Sequence, residues 1–367
     1  MTAEFKRALQ VPQGTETFYL EEAYRHRRLA ASIEETLLRW GYLPVQTPSF
    51  DFYDVYTPLL REEDARSIYR LIDRDGDLLM LRSDITLFLA KQMGLILREE
   101  DLPARVFYSD TILRHQDPED ISKNEFFQTG AELIGKRGIE ADAEVLLMLL
   151  DALAAVSAPP FFVHLGCRGL FDAAFSNLPE ATRRTARRAV GHREWHTVRS
   201  VLEETRRTSG EIDALVELYS FIGTSGELTE LWNRISGALT DAETHSVSEV
   251  SALYRLLDEL DATQRIRFDF SEIGNQPYHS GIAFEVYMDG LDSAVAAGGR
   301  YDGLLSVFGL DAPSVGFSIL LRKIQDRLEL DREKPDVPSA EKAPGTSFVE
   351  RARAARAMRQ EGRTTIL

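Results

Sequence analysis

The sequence predicts an α+β protein, with an antiparallel sheet flanked by helices and interrupted by a helical insertion. Three observations lead to this class. Apolar runs are joined as hairpins, as around the Asp-Gly pair at residues 75–76, a dipeptide typical of two-residue turns. Segments with apolar residues at helical spacing precede and follow these hairpins. A central stretch, residues 169–261, carries Leu, Arg and Glu at helical spacing and no convincing strand. Hairpin-linked strands with helices on one side of the sheet characterise the α+β class.

The individual elements follow from the spacing of apolar residues along the chain. Leu29, Ile33 and Leu37 recur at helical spacing, and comparable patterns predict helices over residues 21–40, 84–93, 139–156, 314–328 and 348–362. Apolar runs bounded by turn residues predict strands over residues 67–73, 78–82, 105–114, 125–134, 161–165, 266–270, 281–287 and 295–297. A long exposed loop is expected over residues 116–124, where Asp117 precedes a proline.

These elements divide the chain into four predicted segments. A first core part covers residues 1–168, the helical insertion residues 169–262, and a second core part residues 263–330. Residues 331–367 form a linker and a short C-terminal helix, because residues 331–347 are polar and rich in proline.

Composition narrows the classes of function. The chain has 367 residues, with 43 basic and 59 acidic side chains and a net charge of −16, which argues against a large nucleic-acid interface. Cys167 is the one cysteine, so no intrachain disulfide can form, and no cluster has zinc spacing. The longest apolar run, residues 145–156, is shorter than the ~20 residues of a membrane span. We expect a soluble, cytoplasmic protein with no metal, no cofactor and no membrane partner.

Four stretches carry a family resemblance. Pro48 follows the first long helix, and Leu-Arg-Ser-Asp-Ile-Thr occupies residues 81–86. Arg114 opens the polar loop, from which Phe-Phe-Gln-Thr-Gly-Ala-Glu returns at residues 126–132, and Ala-Gly-Gly-Arg-Tyr-Asp-Gly-Leu occupies residues 297–304. In this order the stretches resemble the class II aminoacyl-tRNA synthetase core, specifically its histidyl-tRNA synthetase branch. The resemblance covers residues 10–165 and 266–330 and places Pro48 at a dimer interface.

The departures from this family concern the arginines that bind ATP. Asp117 and Asn124 stand at two arginine positions of the second motif, and Lys323 stands at that of the third-motif helix. Gly274 stands where the histidine-specific signature of the synthetases has its arginine. Guanidinium binds phosphate in a bidentate way that other side chains reproduce poorly. We therefore expect the scaffold to be kept and the adenylate chemistry to be lost.

A synthetase-like chain without these arginines and without a full anticodon-binding domain resembles the regulatory subunits of ATP phosphoribosyltransferase. The resemblance implies a non-catalytic chain that partners the short-form catalytic subunit in the first step of histidine biosynthesis. It also implies self-association through the synthetase-like dimer interface, and feedback inhibition with histidine as the effector. No catalytic residue is expected in this chain.

The amino-acid pocket of the synthetases is the natural effector site. Gln128 and Glu132 lie four residues apart on one predicted strand and so share a face, together with Phe126 and Gly130. The resemblance implies a histidine site formed by Asp84, Thr86 and Gln128 for the ammonium, Arg114 for the carboxylate, Glu132 for the imidazole, and Tyr278 and Tyr301 as lining.

Two other functions stay open at this stage. An active or truncated histidyl-tRNA synthetase would activate histidine with ATP, which the missing arginines argue against. A synthetase-like regulator that binds tRNA or an amino acid would need a basic patch. The candidate patch is Arg183, Arg184, Arg187, Arg188, Arg193 and Arg199, for which a solvated helix face is the simpler interpretation.

Overall fold

The structure is a computed structural model that describes residues 12, 14–115, 124–274, 276–331 and 339–367. Residues 116–123 of the predicted polar loop, including Asp117, lie outside the described residues. The same holds for residues 332–338 of the predicted linker.

The described helices and strands, numbered in chain order, have the following bounds. The helices are α1 (Leu20–Arg39), α2 (Tyr53–Tyr56), α3 (Glu62–Ser67), α4 (Ile85–Ile96), α5 (Ile139–Ala155), α6 (Arg168–Phe175), α7 (Glu180–Gly191), α8 (Trp195–Glu203), α9 (Ser209–Ser220), α10 (Ser225–Ile235), α11 (Asp241–Asp258), α12 (Leu321–Asp331) and α13 (Phe348–Gln360). The strands are β1 (Leu43–Pro44), β2 (Phe50–Phe52), β3 (Arg70–Ile72), β4 (Leu78–Leu81), β5 (Ala104–Leu113), β6 (Glu125–Ile134), β7 (Phe161–Cys167), β8 (Ile222–Gly223), β9 (Ile266–Asp269), β10 (Ile282–Met288), β11 (Ala296–Arg300), β12 (Ser314–Leu320), β13 (Glu341–Lys342) and β14 (Thr365–Ile366).

The central sheet has nine strands in the order β1-β5-β6-β12-β11-β10-β7-β9-β8. Its pairs are antiparallel except β1 with β5 and β7 with β9, which are parallel. The predicted antiparallel sheet with flanking helices is therefore confirmed, with two parallel pairs added near its ends. Pro44 lies in the edge strand β1, where its missing N–H breaks no ladder. A smaller sheet pairs β2, β4 and β3 and contains the predicted Asp-Gly hairpin.

Helices cover both faces of the central sheet, which corrects the expectation that they lie on one side. One face, which includes Phe107 and Ala131, packs against α1, α5 and the helices of the insertion. The other face, which includes Tyr108 and Ile134, packs against α4 and the 3₁₀ turn Leu305–Phe308. Alternate residues of one strand thus enter two different cores, as the pleat of a strand requires.

The strand β12 replaces the first half of the helix predicted over residues 314–328. Val315, Phe317 and Ile319 are buried on one face of the sheet, while Gly316 and Ser318 lie on the other. The segment therefore follows the two-residue period of a strand, and the helical period begins only at α12. The prediction of a helix was wrong for residues 314–320.

The segment α6 to α11 is helical apart from β8, a two-residue strand that the sequence did not indicate and that pairs with β9. Three of its helices begin with a capping box in which Thr208, Thr224 or Thr240 is the N-cap and a Glu follows three residues later. Its buried side chains belong to the same hydrophobic cluster as those of the central sheet. The helices thus extend the core of the sheet, and the proposed boundaries of the insertion stay a prediction.

The C-terminal residues form more than the predicted helix. The strands β13 and β14 pair in parallel on either side of α13 in the chain, so these residues make a β-α-β unit. Ala343, Ala355 and Met358 form its own small hydrophobic cluster. Across the described part of the chain, no helix combines the length and apolar character that crossing a membrane requires.

Candidate functional site

The site predicted from the sequence lies between the central sheet and the start of α4. Asp84 is the N-cap of α4, and its carboxylate accepts a hydrogen bond from the Leu87 backbone N–H at 3.1 Å. A carboxylate satisfies the free N–H groups at a helix start, which fixes Asp84 in place. Glu132 of β6 lies on the sheet face below, opposite Gly316 of β12.

The carboxyl group of Glu132 is the buried centre of this site. Only 1% of the residue is exposed. Thr86 Oγ1 donates to Glu132 Oε1 at 2.7 Å, and the Tyr301 hydroxyl lies within hydrogen-bond distance of Oε2. Burial raises the pKa of Glu132 to about 8, although these two hydroxyls oppose the shift, and the charge of Asp84 adds to it. Glu132 is therefore mostly protonated and neutral at pH 7.

Asp84 is the anionic member of the site. Tyr278 OH donates to Asp84 Oδ2 at 2.8 Å, and Arg114 Nη2 lies 3.8 Å from the same oxygen. Arg114 Nε donates to the Ser83 carbonyl at 2.7 Å, which holds the guanidinium beside the N-cap. The rings of Tyr278 and Tyr301 meet edge-on with centroids 5.7 Å apart, and this contact joins the two halves of the site.

Six of the seven predicted residues therefore form one connected cluster, and Gln128 is the exception. Gln128 lies on the same face of β6 as Glu132 and is buried. Within the described residues, no side-chain hydrogen bond joins Gln128 to the other six residues of the prediction. The expected shared face of the strand is present, but among the described residues it brings no side-chain hydrogen bond between Gln128 and the cluster.

Tyr108 is a buried member of the site that the sequence prediction missed. It lies opposite Gly130 across the β5–β6 pair, and a Cβ atom at position 130 would come within 2.5 Å of the Tyr108 hydroxyl. A Cβ atom at Gly316 would come within 1.6 Å of Glu132 Oε2. Glycines inside strands mark close approaches, so Gly130 and Gly316 were the available signal.

Lys323, which stands at the family's third-motif arginine position, and its neighbour Arg322 are both engaged by other residues of the chain. Arg322 contacts carboxylate oxygens of Glu16, Glu22 and Asp326 at 3.1, 2.7 and 2.8 Å. Lys323 Nζ donates to Ser293 Oγ at 2.7 Å and to the Ala294 carbonyl at 3.0 Å. Neither cation is thus held as an exposed phosphate ligand.

The position that should carry the histidine-specific arginine is filled by a neighbouring ring. Gly274 has a φ of +77°, and a Cβ atom there would come within 2.2 Å of His279 Nδ1. The observed orientation of the His279 ring therefore requires a residue without a Cβ atom at position 274. An arginine at position 274 would have no room while His279 keeps this orientation.

Among the residues that the structure describes, one group of side chains has metal-ligand chemistry. Donor atoms of His164, Asp269 and Glu272 lie within 4.8 Å of one another. His164 Nδ1 lies 2.9 Å from Asp269 Oδ2, and Arg193 contacts the same oxygen at 2.6 Å. A guanidinium already supplies the positive charge at this point, so the group fits an internal ion-pair network better than a metal site.

Each arginine of the basic run proposed as a nucleic-acid patch lies near a carboxylate. Each of its six arginines lies within 4 Å of a carboxylate oxygen, and the partners are Asp172 for Arg183, Glu62 for Arg184, Glu180 for Arg187, Glu194 for Arg188, Asp269 for Arg193 and Asp213 for Arg199. The run is therefore a series of ion pairs rather than a free basic surface.

Comparison with known proteins identifies the family. The family model described as histidyl-tRNA synthetase matches residues 14–324. A protein of Geobacter sulfurreducens named ATP phosphoribosyltransferase regulatory subunit is 32% identical over 335 residues, which are 90% of this chain and 75% of the relative. The chain belongs to the histidyl-tRNA synthetase family. A protein of Bacillus subtilis that is also named ATP phosphoribosyltransferase regulatory subunit is 29% identical. The matched region is 85% of this chain and 79% of the relative.

Solved structures of the histidyl-tRNA synthetase family share the fold. A structure from Bacillus halodurans C, titled ATP phosphoribosyltransferase regulatory subunit/histidyl-tRNA synthetase, has a TM-score of 0.82 at 24% identity. It covers 98% of this chain and 92% of its own. Histidyl-tRNA synthetase from Nostoc sp. PCC 7120 has a TM-score of 0.78 at 20% identity over 98% of this chain and 85% of its own. These likenesses establish the class II synthetase-like architecture.

Proposed function

We propose that this chain is a non-catalytic regulatory subunit of ATP phosphoribosyltransferase, required by a separate short-form catalytic subunit and conveying inhibition by histidine. The names of its relatives support the regulatory role. One observation carries the non-catalytic part. The amino-acid side of the synthetase site is kept as a connected cluster, while Arg322 and Lys323 are bound internally and His279 fills the space above Gly274.

In this proposal the cluster around Glu132 binds histidine as its zwitterion. The ammonium group binds Asp84 and Thr86, with Gln128 as a further acceptor, and the carboxylate binds Arg114. A neutral Glu132 can donate a hydrogen bond to an imidazole nitrogen or accept one from it. One anion, one cation and one neutral carboxyl match the three polar groups of the amino acid.

The hydrogen bond between Tyr278 and Asp84 connects the proposed ammonium site to the segment between β9 and β10. The ammonium of histidine competes with the Tyr278 hydroxyl for Asp84 Oδ2, which the tyrosine occupies at 2.8 Å. A carboxylate can accept several hydrogen bonds, so displacement of Tyr278 is a separate part of the proposal: we propose that the ammonium takes the place of the hydroxyl and moves the segment that carries Tyr278, between β9 and β10. Such a displacement is a physical basis for coupling to a partner subunit, and coupling free energies of this kind are typically ~1–3 kcal/mol.

We also propose that the chain self-associates through the region around Pro48, using exposed apolar side chains of the short strands β1, β2 and β3. Leu43, Phe50 and Ile72 project from these strands with 66, 55 and 71% of their surface exposed. Apolar side chains on short edge strands favour burial against another chain. The resemblance to synthetases assigns dimerisation to this region, and a cytoplasmic location stays a prediction.

The test of this function is reconstitution with a short-form catalytic subunit from the same source. Formation of phosphoribosyl-ATP is measured with the catalytic subunit alone and with this chain added. We expect activity only in the mixture. A second assay follows ATP–pyrophosphate exchange with histidine by this chain alone, where we expect no exchange. Exchange without activation of the catalytic subunit would identify a synthetase instead.

A further inference from the structure

Three arginines converge where the first helices of the insertion begin, and a fourth faces them from α3. Arg168 starts α6, while Arg183 and Arg187 lie one turn apart on α7. The guanidinium carbons of Arg168 and Arg187 lie 5.3 and 5.6 Å from the centroid of the same Phe171 ring. The charge of Arg61, the N-cap of α3, also acts on Arg187. Two separate parts of the chain thus bring like charges together.

The carboxylates that contact the three insertion arginines leave an excess of positive charge. Asp172 accepts from Arg168 Nε at 3.2 Å and from Arg183 at 2.8 Å. Glu180 lies 3.8 Å from both Arg183 and Arg187. Both acids are exposed at the surface. Two carboxylates therefore face three guanidinium groups, while Arg61, whose charge also acts on Arg187, has Asp64 as its own partner at 3.6 Å.

Several N–H groups in this cluster are buried and have no acceptor among the described residues. Arg168 is only 6% exposed, yet its Nη1 has no hydrogen-bond partner. The Nε atoms of Arg183 and Arg187 are likewise buried without an acceptor. Buried polar groups are normally hydrogen-bonded, and an unused guanidinium N–H is costly. Burial and the charges of Arg168, Arg61 and Arg183 together lower the pKa of Arg187, as expected where cations are crowded.

We propose that the cluster of Arg168, Arg183 and Arg187 is a binding site for a phosphate-bearing anion. A phosphate or pyrophosphate group offers several charged acceptor oxygens, and planar guanidinium groups bind such oxygens as forks. One multiply charged anion would satisfy the unused donors and offset the excess charge. The inference rests on this cluster alone and does not depend on the proposed regulatory function.

The anion site adjoins the amino-acid cluster. His279 lies between them, since the charges of Arg168 and Arg61 reach it and its ring meets that of Tyr278 with centroids 5.5 Å apart. Burial and these arginines lower the pKa of His279 to about 3, so the ring is neutral at pH 7. The positive charge of the anion site therefore comes from the arginines. The anion site is connected to Asp84 through the ring contact of His279 with Tyr278 and the hydrogen bond of Tyr278 to Asp84.

The test is calorimetric titration of the full chain with pyrophosphate at constant ionic strength, with inorganic phosphate, ATP and adenosine as separate arms. We expect saturable binding of pyrophosphate and a weakening of about tenfold or more in Arg187→Gln, because a hydrogen bond to a charged group is lost. Arg188→Gln is the matched control. Arg188 is the next residue of the same helix, is 65% exposed and contacts only Glu194 at 3.7 Å among the ion pairs described. We expect its affinity to stay within about twofold of the parent.

Comparing the four titrations shows whether the bound phosphate group belongs to a nucleotide or to a free anion. Binding of ATP with the same dependence on Arg187, and no binding of adenosine, would identify a nucleotide phosphate; binding of pyrophosphate without ATP would identify a free anion. Absence of saturable binding by all three phosphates, or an equal loss in both variants, would overturn the proposal. If circular dichroism shows that Arg187→Gln is unfolded, Arg183→Gln provides the same comparison.

Discussion

Glu132 is a carboxyl group that the fold keeps neutral. It is held between the hydroxyls of Thr86 and Tyr301, above a glycine that leaves it just enough room. Because the group is buried, its charged form loses hydration that two hydrogen bonds do not replace. A neutral Glu132 has one proton, which it can donate either to one of these hydroxyls or to a ligand. The protonation state of this one residue therefore determines which ligand groups the cluster can accept.

The raised pKa of Glu132 predicts how stability depends on pH. Its folded-state pKa of about 8 lies above the ordinary value of 4.5, so the native state binds more protons between these two pH values. Its contribution is fully present below the lower value and is lost as pH rises through the higher one. In Glu132→Gln, we expect the decrease in the free energy of unfolding from pH 5 to pH 8 to be smaller, by at most about 1.4 kcal/mol per pH unit.

Urea unfolding at several pH values measures this difference. Glu125→Gln, an exposed change on the same strand, is the matched control and should leave the pH slope unchanged. Since other groups also titrate, the relevant quantity is the slope of each variant minus that of the parent. Equal slopes for the parent and Glu132→Gln would mean that Glu132 is already ionised in the folded chain.

At the scale of elements, β12 shows what the sequence could and could not predict. The residues Ser-Val-Gly-Phe-Ser-Ile-Leu at 314–320 contain alternating apolar positions, but they run without a break into the helical pattern of α12. A short apolar run next to a helix is ambiguous by periodicity alone. By contrast, the hairpin of β3 and β4 was predictable because its turn contains an Asp-Gly pair, which favours a two-residue turn. Residues 314–320 form a strand because they pair with β6 on one side and β11 on the other, in the interior of the sheet.

The glycine in β12 has a measurable structural role. In Gly316→Ala, the new Cβ atom would lie 1.6 Å from Glu132 Oε2 and 2.5 Å from the Ala131 carbonyl oxygen. Since one of these neighbours is backbone, the strands must shift, and we expect a loss of about 1–3 kcal/mol in the free energy of unfolding.

Gly303→Ala is the matched control for this substitution. A Cβ atom at position 303 would meet nothing within 4 Å, so we expect a change of at most about 0.5 kcal/mol. Chemical denaturation at one pH measures both variants. An unchanged midpoint in Gly316→Ala would show that Glu132 does not lie against β12 as described.

For the whole molecule, local patterns predicted the class of fold, while the candidate site came from the family resemblance and stays a prediction. The hairpins predicted the sheet, and the family resemblance, through three motifs and the separate Tyr278, pointed to the six residues that form one cluster. What the sequence could not provide were relations between distant segments. Tyr108 enters the site through its register with Gly130, and His279 fills the space above Gly274. The C-terminal β-α-β unit likewise depends on a pairing across more than twenty residues.

The sequence also does not show which charged side chains pair with each other when the partners lie in distant segments. The run of arginines on α7 and α8 looked like a basic patch in one dimension, but the folded chain supplies carboxylates from four other segments. Ion pairs between distant segments leave no periodic signal in a sequence. Only the three-dimensional arrangement shows that Arg187, which is paired with Glu180, is also crowded with Arg168 around Phe171.

The most direct test of the central proposal is histidine inhibition of a complex reconstituted with Arg114→Ala. Arg114 contacts Asp84 at 3.8 Å and is the proposed partner of the histidine carboxylate. The rate of phosphoribosyl-ATP formation is measured over a range of histidine concentrations with the parent chain and with the variant. We predict that both chains activate the catalytic subunit, and that the concentration giving half-inhibition rises about tenfold or more in the variant. Identical inhibition curves would contradict the assignment of the histidine site to this chain.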